Sequence, residues 1–326
     1  MHSQSALVRP SNGTLVIIGY GSGVSASVAR RFGQAGLRVA LASRTAAKVE
    51  AGARQLRSEG IQAGAFVVDA SSLSSIERLI TREVPASLGP VRVVHHNINY
   101  WPSGSRITDV TPDALQSMHG LCVGGLVVAA SAALPQLRAW PSGTASVLVT
   151  NGGAGLASKA AAYSETMAGG FLCNAEKKEA SRVLGLQLAR EGIQLGEVVI
   201  AAMVSREAGA EHAVHPDRVA DAFWSLHTQR TDRSLVLSPG PLLDPTDALD
   251  CRSQQPPLPP PPSQQQRRPG LVPWHASSLR SQQPMVFTVD GTPSLLALAL
   301  VVAALLLSMT SIFMAVRRAN VRLRCL

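Results

Sequence analysis

Leu15 to Ser25 reads LVIIGYGSGVS, and this stretch decides the fold. A short apolar run rich in β-branched residues, too brief for a membrane span, breaks into glycines and then into the helix-like ASVARRFGQAG. The pattern predicts a strand, a tight turn and a helix start. Gly19, Gly21 and Gly23 permit backbone conformations and close approaches that a Cβ blocks, and the free N–H groups of Ser22, Val24 and their neighbours at a helix N-terminus suit a phosphate. The ligand implied is a dinucleotide. The strict G-x-G-x-x-G spacing is not met, because Val24 stands three places after Gly21; the spacing that fits is G-x-x-x-G-x-G, with Ser25 in the last glycine's place.

Outward from this turn, apolar runs alternate with helical stretches. The sequence predicts strands at Leu37–Ser43, up to Asp69, at Val91–Asn97, Ala145–Thr150, Glu197–Val204 and Ser234–Leu237. Helices are predicted over Thr45–Gly60, Ser71–Val84, Thr111–Leu137, Glu176–Glu191 and His215–Gln229. Continuous apolar strands separated by helices indicate an α/β fold, a Rossmann-like doubly wound parallel sheet covered on both faces. Ligands in such sheets bind beyond the strand C-termini. Gly19–Ser25, Ser43, Arg44, Asp69, Asn97 and Thr150 all fall at predicted strand ends, so they are expected to converge on one cleft.

The chain has 326 residues, a net charge of +9 and a pI near 10.1. Its cations are spread: residues 1–240 hold 22 Lys/Arg against 17 Asp/Glu, and the remainder 8 Arg against 4 Asp. A nucleic-acid footprint requires clustering, so no nucleic-acid partner is expected. Cys122, Cys173, Cys251 and Cys325 form no C-x-x-C pair, which argues against a metal site and for reduced cytosolic thiols. Residues 1–13 lack the apolar core of a targeting peptide and read as a flexible leader.

Several pieces together resemble the short-chain dehydrogenase/reductase family over residues 14–240. They are Gly19-x-x-x-Gly23, Asp69 after the third strand, Asn97 in HHNIN at the place of the family's N-A-G turn, LAREGIQ at 188–194, and HPDRVADAFWSLHTQ at 215–229. The resemblance implies an NAD(P)(H) oxidoreductase acting on a carbonyl or alcohol, with pairing into a homodimer common in the family. An NAD(H) site usually carries a carboxylate at the end of the second strand. This chain has Ala42, Ser43 and Arg44 there, and Arg44 suits a 2′-phosphate, so NADP(H) is expected before NAD(H).

The family's chemistry uses a Ser or Thr, a Tyr and a Lys, the last two spaced Y-x-x-x-K. A phenol with a pKa of about 10 needs a nearby cation before it exchanges protons near neutrality. Counted back from LARE, Lys178 takes the lysine place, orienting the ribose, and Asn174 the tyrosine place, where an amide cannot act as an acid. Counted forward from the fifth strand, Thr150 and Tyr163 have the right separation, with Met167 in the lysine place and about eleven extra residues following. Two outcomes stay open: Tyr163 folds back towards Lys178, with Thr150 or Asn151 holding the substrate oxygen, or the site is degenerate and the domain binds a dinucleotide without turnover. Cys122, where the family often has an asparagine, favours degeneracy. Val204 lies where a backbone amide would meet the nicotinamide carboxamide. His95 and His96 read as structural, and Ser22 in GYGSGVS as part of the turn rather than a hydrolase nucleophile.

After Gly240 the composition changes. Residues 241–293 are rich in Pro, Gln and Ser, include PPLPPPP, and read as a disordered linker. Residues 294–316, SLLALALVVAALLLSMTSIFMAV, carry no charge. At about 1.5 Å per residue such a helix spans about 34 Å, enough for a hydrocarbon core of roughly 30 Å, so a transmembrane helix in a lipid bilayer is expected. Arg317, Arg318, Arg322 and Arg324 make 317–326 a basic tail. This layout resembles tail-anchored proteins with a cytosolic domain, at the mitochondrial outer membrane, peroxisome or endoplasmic reticulum. A tether there suits a lipophilic substrate.

Overall fold

The computed structural model describes residues 13–238, apart from 101–105, 157–158, 164, 208–211 and 231. The predicted leader, linker, transmembrane helix and basic tail therefore lie outside the described residues.

The β-branched runs form strands β1 (Thr14–Ile18), β2 (Arg38–Ser43), β3 (Ala63–Val67), β4 (Val91–His96), β5 (Ser146–Gly152), β6 (Gln194–Ile200) and, after a two-residue pair β7 (Met203–Val204) with β8 (Ala213–Val214), β9 (Ser234–Leu237). Seven of them make one parallel sheet in the order β3-β2-β1-β4-β5-β6-β9. The chain winds outward from β1 in both directions, so the switch in strand order lies between β1 and β4. The predicted sixth strand is shorter than expected at its end: the chain leaves the sheet after Ile200, and Ala201 N–H donates to Leu237 O.

Helices α1 (Val24–Gln34), α2 (Ala46–Ser58) and α9 (Pro216–Thr228) cover one face. The other is covered by α3 (Leu73–Arg78), α4 (Val84–Leu88) and, after α5 (Pro112–His119), by α6 (Gly125–Arg138) and, after the four-residue α7 (Ala160–Tyr163), by α8 (Ala168–Ala189), on which α5 packs. The two-residue period of the strands sorts their side chains between two cores. Leu15, Ile17, Val39, Leu41, Val93, Leu148 and Val198 join the α1/α2/α9 core, while Val16, Ile18, Ala40, Ala42, Val94, Val147 and Val149 join the opposite one. Buried on both faces, these strands have the continuous apolar sequences that marked them.

The long helix expected over Thr111–Leu137 is present and continuous, with one π-helical turn inside it. α5 opens with Thr111 accepting from Ala114 N–H, and a π-helical turn at Gly120–Gly124 joins it to α6. Among the described residues, Pro112–Arg138 alone is long and apolar enough to cross a membrane, and one face of its α6 part packs into the core of the sheet. α8 begins eight residues before the predicted start at Glu176. The thiols differ as well: Cys122 and Cys173 form a disulfide, with Cα atoms 6.4 Å apart. Their separation of 51 residues hid the pair, which exists because the turn after α5 packs against α8.

Candidate active site

The C-terminal ends of β1, β2 and β4 open into a cleft of about 290 Å³. Gly19 and Tyr20 line it from β1, Ser43 and Arg44 from β2, and Asn97 to Tyr100 from β4. Gly19 holds φ at +90°, and a Cβ there would sit 2.8 Å from Asn97 O. Asn97 in turn donates its Nδ2 hydrogen to Gly19 O over 3.0 Å, which ties the two strand ends together. Ser25 closes the turn: its Oγ accepts from Gly21 N–H at 2.8 Å and donates to Gly21 O at 3.0 Å. The side chain in the expected glycine's place thus secures the loop that glycine would have left open.

Gly21 and Gly23 face open space, with nothing within 4 Å of where a Cβ would stand. No acidic residue occupies the first turn of α1, so the helix N-terminus keeps its positive character. This is a cradle for an anionic group approaching the backbone. Ser22 is exposed, and Val24 begins α1 with its side chain packed against the core. Arg206, from the loop after β7, reaches the same turn: its Nη2 donates to Ser22 O at 3.3 Å and Ser27 Oγ at 3.0 Å.

At the mouth of the cleft Ser43, Arg44, Thr45 and Lys48 line the side beside β2. Asp69 is exposed beyond β3 and accepts from Ser71 N–H, a bond that, ahead of the Arg44 charge, holds its carboxyl below the usual range.

The end of β5 is committed to internal bonds. Thr150 Oγ1 and His95 Nε2 share a 2.8 Å hydrogen bond, and burial holds His95 neutral, with a pKa lowered to about 3. Asn151 Nδ2 donates to Asn174 O and to Glu197 Oε1, each at 3.0 Å. Asn174 accepts from Gly152 N–H at 2.8 Å and donates to Gly170 O at 2.7 Å. Its Oδ1 therefore fastens α8 to β5, while its Nδ2 is held within α8 one turn back. Glu197, whose carboxyl burial pushes up, completes the cluster by accepting from Ser234 Oγ.

On α8 the structure distinguishes the adjacent lysines. Lys177 is wholly buried, its ammonium donating to Ile98 O at 2.8 Å and to the Asn99 side chain, both on the cleft wall. Burial lowers its pKa to about 7. Lys178 is half-buried. Tyr163 ends α7, part-buried, with its carbonyl accepting from Thr166 and Met167, and Met167 precedes α8. Val204 lies part-buried in β7, paired with Val214.

Lys177 carries a testable signature. Its folded pKa lies below the unfolded value, so the unfolded chain binds more protons between pH 7 and 10.5 and stability rises with pH there. Urea unfolding at pH 7 and pH 9 should give a contribution of about 2 kcal/mol from this group. Lys177→Met removes that part of the rise and Lys178→Met keeps it; equal behaviour of the two variants refutes the assignment.

Lys177, Asn99 and Arg206 escaped the sequence reading, as did the pairing of Cys173 with Cys122. A signal existed only for Lys177, since two lysines stand side by side and the phase of α8 decides between them.

Comparison with known proteins now places the domain. Residues 13–170 match the short chain dehydrogenase family. A Streptomyces coelicolor protein named as a ketoacyl reductase is 27% identical over 187 residues, spanning 56% of this chain and 67% of its own. Among solved structures, a metagenomic short-chain oxidoreductase in complex with NADP has a TM-score of 0.59 at 20% identity, covering 70% of this chain and 97% of its own. An NADPH-bound short-chain oxidoreductase from Pseudomonas aeruginosa PAO1, described as containing an atypical catalytic center, has a TM-score of 0.62 at 18% identity, covering 72% and 98%. L-Sorbose reductase from Gluconobacter frateurii, complexed with NADPH and L-sorbose, has a TM-score of 0.61 at 16% identity, covering 70% and 95%. The short-chain dehydrogenase fold thus spans the described domain.

Proposed function

We propose that this chain is a membrane-tethered oxidoreductase of the short-chain dehydrogenase type, using NADP(H) on a carbonyl or alcohol substrate with an altered catalytic set. The observation that carries the reading is the cleft, lined by Arg44 and Lys48 with no carboxylate at the end of β2, together with the open glycines that follow its β1 edge at a helix N-terminus. The NADP- and NADPH-bound relatives support the same cofactor.

The dinucleotide, when bound, supplies or accepts a hydride. The residues around it have separable tasks. Gly21, Gly23 and the N-terminus of α1 receive the pyrophosphate, and Arg206 adds a cation there. Arg44 and Lys48 receive the 2′-phosphate. Lys177, rather than its neighbour Lys178, is the cation that orients the ribose, because its ammonium is bound to Ile98 O and the Asn99 side chain, which line the cleft. Asn151 and Asn174 brace the site through their bonds to β5, α8 and Glu197.

A second reading, a dinucleotide-binding protein without turnover, draws on the commitment of Thr150, Asn151 and Asn174 to internal bonds. Calorimetric titration of the full chain with NADPH and NADH tests the shared premise. NADPH should bind about 10- to 100-fold more tightly, the worth of a charge-assisted pair, and Arg44→Ala should remove most of that preference. Failure of both nucleotides to bind overturns both readings. Arg206→Ala should weaken NADPH and NADH alike, by about tenfold.

The bilayer tether rests on the uncharged segment 294–316 and the arginines after it. The domain then faces the cytosol, at the mitochondrial outer membrane, peroxisome or endoplasmic reticulum, where a lipophilic substrate is at hand. Exposed Val127 on α6 and Val183 and Leu186 on α8 favour a homodimer. Carbonate-washed membranes should retain the full chain and release a chain truncated before Ser294.

A further inference from the structure

The cysteine pair has no part in the chemistry above, yet it lies against the site. Cys122 and Cys173 are both fully buried, with Met118, Leu115, Leu172 and Tyr100 packed around them. Tyr100 also lines the cleft, as does Leu121, the neighbour of Cys122. Cys122 stands in the π-helical turn Gly120–Gly124, an interruption of a kind that recurs at functional sites. Cys173 stands four residues before Lys177 on α8, so the two share one face of the helix. Both are wholly buried, and the Lys177 ammonium is anchored on the cleft wall at Ile98 and Asn99. A sulfur and a cation thus stand one helical turn apart on α8, at the spacing of the family's phenol and cation and one residue before the Asn174 and Lys178 of the sequence count.

We propose that Cys173, freed by reduction of the Cys122–Cys173 disulfide, is the proton donor and acceptor of the carbonyl/alcohol reaction, and that the disulfide is its switched-off state. This rests on the oxidoreductase reading above. A thiol begins near pKa 8.5 and a neighbouring ammonium lowers it, so it exchanges protons near neutrality more readily than a phenol near 10. In the reducing direction the cofactor supplies the hydride to the carbonyl carbon. The S–H bond of Cys173 breaks, its proton passes to the carbonyl oxygen, and the thiolate left beside Lys177 is reprotonated by water. The oxidising direction reverses each transfer. As a disulfide, Cys173 Sγ holds no proton and can accept none. The switch closes when hydrogen peroxide takes two electrons and two protons from the two thiols, giving the disulfide and two waters. A dithiol reopens it by thiol–disulfide exchange.

The test uses the full chain, reduced with dithiothreitol, desalted, and alkylated with iodoacetamide at pH 5 to 10, with Cys173 followed by peptide mass spectrometry. Alkylation of Cys173 should inflect at least one unit below pH 8.5 and move upward in Lys177→Met. An ordinary thiol profile, or one that Lys177→Met leaves in place, overturns the proposal. NADPH consumption is then followed with an acetoacetyl thioester, L-sorbose and decanal as probe carbonyls. Peroxide should lower the rate at least 50-fold and dithiothreitol restore it, whereas in Cys122→Ser, which lacks the second thiol, mass spectrometry should find Cys173 as the sulfenic acid and no disulfide. Cys173→Ser should still bind NADPH and lose turnover; a Cys173→Ser protein as fast as the parent overturns the proposal. If no probe is consumed, the alkylation profile decides. Absence of NADPH binding in the reduced parent sinks the oxidoreductase reading instead, and the calorimetric titration separates the two failures.

Discussion

Lowering the pH from 7 to 5 should remove roughly 3 to 6 kcal/mol of folding stability, much of what a domain of this size possesses. Burial lowers the pKa of His95 and His96 to about 3 and that of His227 to about 4. All three therefore stay neutral in the fold at pH 5, while the unfolded chain protonates them from about 6.5 downward. The unfolded state binds the extra protons, so stability is fully present above pH 6.5 and is lost as the pH falls towards 3. Each imidazole contributes about 2 kcal/mol over this interval. Glu197 acts in the opposite sense, because burial raises its pKa and the fold takes up a proton there. One carboxyl offsets less than three imidazoles, which sets the lower bound. Urea unfolding at the two pH values measures the difference, and equal midpoints would show that the histidines are not buried as described.

Gly19→Ala and Gly21→Ala should part company. At Gly19 an added Cβ meets Asn97 O at 2.8 Å and Ile98 Cγ1 at 2.9 Å, in a backbone at φ +90° that an L side chain rarely adopts. Strain of about 1–3 kcal/mol adds to the displaced β4 end, so stability falls together with nucleotide affinity. At Gly21 the same Cβ enters empty space and φ is not positive. The fold should keep its melting temperature while NADPH affinity drops about tenfold or more, because the methyl group fills the room left for the pyrophosphate. A Gly21→Ala protein that binds NADPH as tightly as the parent would remove the turn from the cofactor site. The contrast also separates a glycine needed by the chain from one needed by its ligand.

Much of the fold was legible because its signals are local. Strands such as Val91–His96 and Ser146–Gly152 are short apolar runs bounded by turn residues, and a central parallel sheet requires such runs. Gly19, Asn97 and Ser25 announced the turn that they build. The catalytic end was harder to read. α8 shows little hydrophobic periodicity of its own, so LARE at its far end served to count back to Lys178. The fold turns Lys177 inward instead. One residue is about 100° of helix, enough to exchange a buried ammonium for a half-buried one. Asn174 could be dismissed as an acid from its chemistry, but its use as a brace between Gly152 and Gly170 required both partners in place.

By itself the sequence determined the order of the main strands and helices, the glycine turn after β1 and the absence of a carboxylate at the end of β2, since each depends on residues within one element or one turn. The tertiary structure alone decided which lysine is buried against the residues that line the cleft, that Cys122 meets Cys173, that Arg206 closes over the glycine turn, and that His95 and His96 are buried neutral. Each of these arises where side chains far apart in sequence are brought together. The energies that select them, desolvation and long-range contact, do not exist until the sheet and its helices have assembled.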